Sequence, residues 1–256
     1  MRSYLTLFLK GVPIGISNIL PGVSGGTVAL ILNIYELLIK AVKEINLRIL
    51  IPLFIGGVSG IYVTASLVTY FMEAYPTFIN SLIFGLIIAS AKITYVEIKY
   101  FNFKNIFFGI SALLLAIFLS INAHITATET SVNLINIAIG GVFSSISMLL
   151  PGISGATILI ILGVYKPVLV ALAELNFLII SVFSLSALLG IICCAWIISY
   201  ILNNHRNLLM TILTGLILGS STAVIPYNLG VNEILGVLLG ILLVTLFSYR
   251  RAKLVN

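Results

Sequence analysis

Charged side chains are scarce in this sequence of 256 residues: Asp, Glu, Lys and Arg make up only 8% of it, whereas 61% is hydrophobic. In a typical soluble domain about a quarter of the residues are charged. The shortage excludes an ordinary water-soluble protein and predicts an integral membrane protein. The net charge of +6 is interpreted as loop charge that sets membrane orientation, with no role in binding nucleic acid.

The sequence also lacks the short alternating segments, about ten residues long, that form outer-membrane β-barrels. It contains instead longer apolar runs of about 16 to 25 residues, which are typical of membrane helices. These runs predict an all-α polytopic membrane protein. They cover residues 4–20, 23–41, 49–72, 78–97, 105–122, 133–150, 153–172, 176–202, 208–225 and 233–249.

Cysteine and histidine are rare, with two residues of each. Cys193 and Cys194 are adjacent in an apolar segment, so their side chains point to different faces and favour neither a disulfide nor a metal site. His124 and His205 lie at segment ends and are expected to be loop residues. The sequence has no carboxylate cluster for a metal, and we expect no cofactor.

One stretch of the sequence occurs twice. Residues 20–27 read LPGVSGGT, and residues 150–157, at an offset of 130, read LPGISGAT. Glycine, serine, tyrosine, glutamate and asparagine residues elsewhere match at the same offset, which chance apolar similarity does not explain. The sequence therefore predicts a single membrane domain made of two repeats, residues 1–125 and 131–256.

The distribution of basic residues predicts how the two repeats are oriented. If the N-terminus is cytoplasmic and the first two segments return to that side, only Lys166 of the 13 Lys and Arg residues lies outside, which leaves 12 inside. This arrangement follows the positive-inside rule and places both termini in the cytoplasm. Each repeat has an odd number of crossings, so the second repeat is expected to be inverted.

Each duplicated motif is expected to break a helix, at Pro21 and Gly22 in the first copy and at Pro151 and Gly152 in the second. The segments on either side of each break are short. We therefore predict that each repeat is a re-entrant helical hairpin followed by three transmembrane helices. Two full crossings in place of each hairpin fit the charge distribution equally well.

The residues after each break suit an anion. The first turn of a helix has about four unpaired N–H groups and a partial charge of about +0.5, and small residues let a phosphate approach them. A structural alternative is that small residues simply pack these broken helices closely. The residues expected to bind phosphate are Ser24, Gly25, Gly26, Thr27, Ser154, Gly155, Ala156 and Thr157.

Two helix ends provide about one positive charge, whereas a phosphate monoester carries about −1.5 to −2. Lys10, Lys92 and Lys166 lie within or beside apolar segments and are candidates for accessory charges. Glu36 occupies the repeat position equivalent to Lys166 and is a fourth candidate. Snorkelling of the lysines to the lipid headgroups is the alternative explanation.

Three functions are compatible with these residues: a carrier for a lipid-linked phosphate, a transporter of a small soluble anion, or an intramembrane serine hydrolase. The hydrolase is suggested by Gly22-Val23-Ser24-Gly25, which has the pattern G-x-S-G. That chemistry requires a histidine beside one serine within the membrane. The serine is duplicated here and neither histidine is clearly within the membrane, so an enzyme is the weaker interpretation.

The paired P-G-x-S-G motifs, the LGVY stretch at 162–165 and the GLILGS stretch at 215–220 resemble the bacterial PopT-type polyprenyl-phosphate transporters, formerly a domain of unknown function. The family pattern differs at two places, since this chain has Lys166 where an acidic residue is usual and Ser221-Thr222 where a basic residue is usual. The resemblance implies a non-enzymatic protein of the bacterial cytoplasmic membrane. Its cargo would be undecaprenyl phosphate, returned to the inner leaflet for cell-envelope synthesis.

Overall fold

The computed structural model describes residues 4–17, 24–122, 133–226 and 230–252, and these residues form helices and turns without a β-strand. The predicted all-α class is confirmed for this part of the chain. The described helices of the first half are α1 (Tyr4–Ser17), α2 (Gly25–Ile31), α3 (Tyr35–Lys43), α4 (Leu47–Ala74), α5 (Pro76–Tyr95) and α6 (Phe103–Asn122). Those of the second half are α7 (Leu134–Leu149), α8 (Gly155–Ile161), α9 (Tyr165–Ala173), α10 (Phe177–Asn204), α11 (Arg206–Ser220) and α12 (Val231–Ala252), with a 3-10 turn at Ser221–Val224.

The helix bounds recur along the chain at the spacing of the duplicated motif. Helices α2, α3 and α4 begin and end 130 residues before α8, α9 and α10. The turns between them recur as well: Asn33 and Gly163 have φ angles of 55° and 69°, and Ile45 and Leu175 have φ angles of 48° and 55°. The local structure is therefore the same in both halves from α2 to α4. The inverted orientation of the second half stays a prediction.

The apolar segment 23–41 consists of two short helices, α2 and α3, and not of the single helix that a continuous apolar run predicts. The N–H of Asn33 donates to Leu30 O and that of Ile34 donates to Ala29 O, both at 2.9 Å. This pair of bonds around a left-handed residue is a Schellman motif, which ends a helix. Hydrophobic pattern alone does not reveal the break because its flanking residues are apolar.

Four helical stretches in the described residues are long and apolar enough to cross a membrane: 76–95, 103–121, 177–204 and 206–224. Shorter apolar helical stretches are formed by α1, by α7, by residues 47–63 of α4 and by residues 231–246 of α12. Helices α2 and α8 have seven residues each. Their length of about 10 Å is a third of a hydrocarbon core of about 30 Å.

Large apolar side chains cover the outward faces of α4, α6 and α10. Phe54 is 71% exposed, Phe107 is 58% exposed and Ile197 is 59% exposed. A soluble protein rarely exposes so much contiguous apolar surface. These faces suit contact with lipid, in agreement with the membrane protein predicted from composition.

The most extensive contacts between the two halves are made by two pairs of helices. Helix α5 packs along α12, and α6 packs along α11, whose residues Leu213 and Ile217 are fully buried. Glycines allow the helices to approach closely: a Cβ on Gly85 would lie 2.3 Å from Val237 O, and one on Gly215 would lie 2.2 Å from Gly109 O. Contacts through small residues are the usual means of close helix packing in membranes.

Candidate functional site

The second copy of the motif breaks the chain between α7 and α8. Helix α7 ends at Leu149, and Ser154 is the N-cap residue of α8. Between them Gly152 has a φ of +88°, and a Cβ at this position would lie 2.6 Å from Leu216 O on α11. The predicted break at Pro151 and Gly152 is therefore present, and glycine is required there both by backbone conformation and by space.

The first copy of the motif begins α2, with Ser24 as its N-cap residue. Ser24 has an extended backbone, is 4% exposed, and its Oγ accepts a hydrogen bond from the N–H of Gly26 at 3.2 Å. This is N-capping, which satisfies one of the free donors of the first turn. Pro21 and Gly22 lie outside the described residues, so the predicted break in this copy stays a prediction.

The two copies bind each other directly. The hydroxyl of Ser24 donates to Leu150 O at 3.1 Å, and the N–H of Gly152 donates to Thr27 Oγ1 at 3.0 Å. Gly26 allows this approach, since a Cβ there would lie 3.0 Å from Leu149 O. Residues more than 120 positions apart in the chain therefore form one site, with the N-terminus of α2 against the break of the second copy.

The second copy does not repeat the capping bond of the first. Ser154 is half-buried and makes no side-chain hydrogen bond to the N-terminus of α8. A Cβ on Gly155 would lie 3.0 Å from Ser144 O, so this residue packs closely against α7. The side chains of Ala156 and Thr157 lie outside the described part of the structure.

The four candidate accessory charges lie in different environments. Lys10 Nζ donates to Leu32 O at 2.9 Å, at the C-terminal end of α2, where a cation is favourable. Lys92 and Lys166 are exposed. Glu36 is bound to Arg206, as described next, and a phosphate-binding role for any of the four stays a prediction. His205 is exposed where α10 meets α11, and His124 is outside the described residues.

An ion cluster joins three helix ends at one end of the bundle. Arg206 Nη2 at the start of α11 lies 2.6 Å from Glu36 Oε1 on α3 and 2.5 Å from Glu97 Oε2 just after α5. Neither Arg206 nor Glu97 belongs to a motif that the sequence singles out. What distinguishes them is that neither is repeated: the residue equivalent to Glu97 is Tyr227, and the residue equivalent to Arg206 is Pro76.

Helix α3 is also held against α10 at this end. Lys43 Nζ lies 3.3 Å from Ser199 Oγ and 4.7 Å from the centre of the Trp196 ring. A lysine over a tryptophan ring is an attractive cation–π contact. The residue equivalent to Lys43 in α9 is Ala173, which cannot make either contact. We call the Arg206 ion cluster and the Lys43 contacts together the α3 ties.

Comparisons with known proteins identify related sequences. A family model described as "VCA0040-like: Undecaprenyl phosphate translocase-like" matches residues 14–50 and 40–237. A polyprenyl-phosphate transporter of Vibrio cholerae is 30% identical over 246 residues, which cover 88% of this chain and 79% of the relative. A polyprenyl-phosphate transporter of Staphylococcus aureus is 35% identical over 241 residues, which cover 85% of each chain. No solved structure matches.

Proposed function

The chain belongs to the undecaprenyl phosphate translocase-like family, and from that membership we propose that it transports a polyprenyl phosphate, undecaprenyl phosphate in particular, across the bacterial cytoplasmic membrane. The observation that carries the proposal is similarity over 79% and 85% of two relatives named polyprenyl-phosphate transporters. The proposed direction is from the outer to the inner leaflet, which recycles the lipid for cell-envelope synthesis. The relatives favour neither a soluble-anion transporter nor a hydrolase.

The proposed topology has two inverted repeats with both termini in the cytoplasm. The seven-residue helices α2 and α8 are too short to cross a bilayer, which supports a re-entrant hairpin in each half. Positive-inside counting then gives the first hairpin a cytoplasmic entrance and the second an external one. The hairpin tips meet near the middle of the membrane, where transporters of this architecture bind their substrates.

The proposed phosphate site is the contact between the two motifs. In the described structure the Ser24 hydroxyl donates a hydrogen bond to Leu150 O, and the N–H of Gly152 donates one to Thr27 Oγ1. A phosphate oxygen accepts hydrogen bonds from the same two donors, and the freed Thr27 hydroxyl becomes a third donor. The carrier therefore binds its cargo by exchanging these bonds between the motifs for bonds to phosphate, while the polyprenyl tail stays in lipid.

The α3 ties define which end of the carrier is closed. They join α3 to α10 and α11 at the end that positive-inside counting assigns to the cytoplasm. Because Lys166 and Ala173 replace Glu36 and Lys43 in the second half, α9 does not carry the side chains for the same ion pair and cation–π contact. These contacts support a carrier that is closed toward the cytoplasm in the described conformation and in which transport requires the ties to open.

Reconstituted vesicles test both the transport and the site. Vesicles containing polyprenyl phosphate receive an impermeant phosphatase outside, and hydrolysis beyond the external leaflet's share reports transbilayer movement. We expect movement with the wild-type protein and a rate at least about tenfold lower with Ser24→Ala/Ser154→Ala, because hydrogen bonds to a charged group are lost. Ser111→Ala is the control, since Ser111 is exposed and bonds only within α6.

Each outcome of this experiment has a distinct meaning. The transport proposal would be contradicted if, with wild-type protein, hydrolysis stops when the polyprenyl phosphate of the external leaflet is consumed. Equal rates for wild type and the double variant would contradict the site and leave transport intact. Uptake of inorganic phosphate without lipid movement would favour the soluble-anion transporter.

A further inference from the structure

A polar cavity lies beside the α3 ties, away from the contact between the motifs. It has a volume of about 320 Å³ and lies between the α5–α6 connection and the junction of α10 with α11. We call it the basic cavity. The side chain of Asn207 fixes its walls: Oδ1 accepts from the N–H of Lys99 at 2.7 Å, and Nδ2 donates to Tyr100 O at 2.6 Å.

The lining of the basic cavity has an excess of positive charge. Arg206 is already paired with Glu36 and Glu97, so the free positive charge of the lining comes from Lys99 and Lys104. The pairing of the Glu97 carboxylate with Arg206 reduces its repulsion of an incoming anion. Clustered cations raise the local concentration of anionic ligands.

One donor in the wall of the basic cavity is buried without a partner. Asn105 is 4% exposed, and its Nδ2 makes no hydrogen bond within the described structure. A buried donor left unpaired costs about 1–3 kcal/mol, so native proteins rarely keep one without a ligand or water to satisfy it. The missing partner must be a hydrogen-bond acceptor, and an anionic oxygen is the strongest kind.

The polar lining is specific to the first half of the chain. The residues 130 positions after Glu97, Lys99, Lys104 and Asn105 are, in order, Tyr227, Leu229, Ile234 and Leu235. The equivalent helices therefore form without these polar groups. Apolar residues at the equivalent positions are compatible with this fold, so Asn105 and the lysines of the lining are available to bind a ligand.

We propose that the basic cavity binds a phosphoryl group, with Asn105 Nδ2 donating to a phosphate oxygen and Lys99 and Lys104 neutralising its charge. This site is distinct from the contact between the motifs. The occupant is either the head of a lipid phosphate or free inorganic phosphate. Only its assignment to polyprenyl phosphate, arriving at the cytoplasmic end, rests on the proposed function.

Titration of the full-length protein with inorganic phosphate tests the site directly. Calorimetry in detergent is expected to show binding to wild type and binding at least about tenfold weaker for Asn105→Asp and for Lys104→Gln, since each removes a donor to a charged ligand. Lys40→Gln is the matched control, because Lys40 is an exposed lysine on α3 that does not line the cavity. Lys104 is exposed, so its variant decides the test if Asn105→Asp fails to fold.

Native mass spectrometry with undecaprenyl phosphate or undecaprenol identifies the source of the phosphoryl group. The occupant is the head of the lipid if wild type retains undecaprenyl phosphate in preference to undecaprenol. In that case the preference should be lost in both cavity variants and kept in Ser24→Ala/Ser154→Ala. The occupant is free inorganic phosphate if calorimetry shows phosphate binding and mass spectrometry shows no preference for the phosphate lipid. This conclusion holds even if the vesicle assay shows no transport. The proposal is overturned if wild type binds neither ligand, or if the two cavity variants bind as wild type does.

Discussion

At the scale of the residue, Gly152 is the position that tolerates change least. It combines a φ of +88° with a distance of 2.6 Å between a built Cβ and Leu216 O. We expect Gly152→Ala to destabilise the protein by at least about 1–2 kcal/mol, the cost of a left-handed conformation for a residue with a Cβ. The variant should also lose transport, because Gly152 N is one of the donors of the proposed phosphate site. Thermal unfolding and the vesicle assay measure the two effects.

Gly57→Ala is the matched control for this prediction. A Cβ on Gly57 would lie 3.7 Å from Gly11 O, an ordinary contact distance. This substitution should be tolerated, because alanine also has a higher helix propensity than glycine. Equal melting temperatures for the Gly152 and Gly57 variants would show that the break is not held by Gly152.

Sequence reasoning found the motif residues but not the residues around them. Pro151, Gly152 and Ser154 are conspicuous because proline and glycine interrupt an apolar run and because the run occurs twice. Glu97 and Arg206 are single charges at the ends of separate segments, and they meet only when α5 and α11 are packed together. No spacing along one segment predicts a contact between residues 109 positions apart.

At the scale of the element, α3 is held by the side chains of Glu36 and Lys43, which Lys166 and Ala173 replace in the matching α9. Glu36→Gln removes one of the two carboxylates on Arg206. A partly exposed ion pair contributes up to about 1 kcal/mol, so the opening of α3 should become up to about fivefold more frequent. The buried Cys194 on α10, 6% exposed, gives the measurement: in a Cys193→Ser background its alkylation rate should rise by that factor.

Lys40→Gln is the control for the labelling experiment. Lys40 and Glu44 form an exposed pair within α3, at 4.0 Å, that does not reach another helix. Its loss should leave the alkylation rate of Cys194 unchanged. An equal increase for both variants would mean that general loosening of α3, and not the link to Arg206, controls access.

The identity of most elements was predictable, whereas their subdivision was not. Apolar runs located the long helices α4, α5, α6 and α10 to within a few residues. The split of segment 23–41 was missed because Asn33 ends α2 through its left-handed backbone, which leaves no mark on hydrophobicity. A glycine at the equivalent position, Gly163, was the one available hint.

At the scale of the whole molecule, the halves interlock through the α5–α12 and α6–α11 pairs. A half expressed alone would expose the faces of α5 and α6, including Gly85 and Gly109, that pack against the other half. We predict that residues 1–125 and 131–256 each fail to fold alone but assemble when co-expressed. Co-purification through a tag on one half, followed by the vesicle assay, measures this; a stable, monodisperse single half would contradict it.

Composition was sufficient to predict a helical membrane protein, because a chain in which only 8% of the residues are charged is too apolar for an ordinary soluble protein. The pairing of α5 with α12 and of α6 with α11 was not predictable. A helix that is apolar on every face gives no indication of which face meets protein and which meets lipid. Here small residues, such as Gly215 against Gly109, decide the partners.

The Lys43–Trp196 contact has a spectroscopic consequence. Trp196 is the single tryptophan of the chain, and Lys43 Nζ lies 4.7 Å from its ring centre. Tryptophan emission from the unlabelled protein therefore originates entirely at the interface of α3 with α10, where a nearby ammonium group perturbs the indole. Separation of the two helices changes the emission spectrum, so the wild-type chain carries its own optical reporter of the contact between α3 and α10.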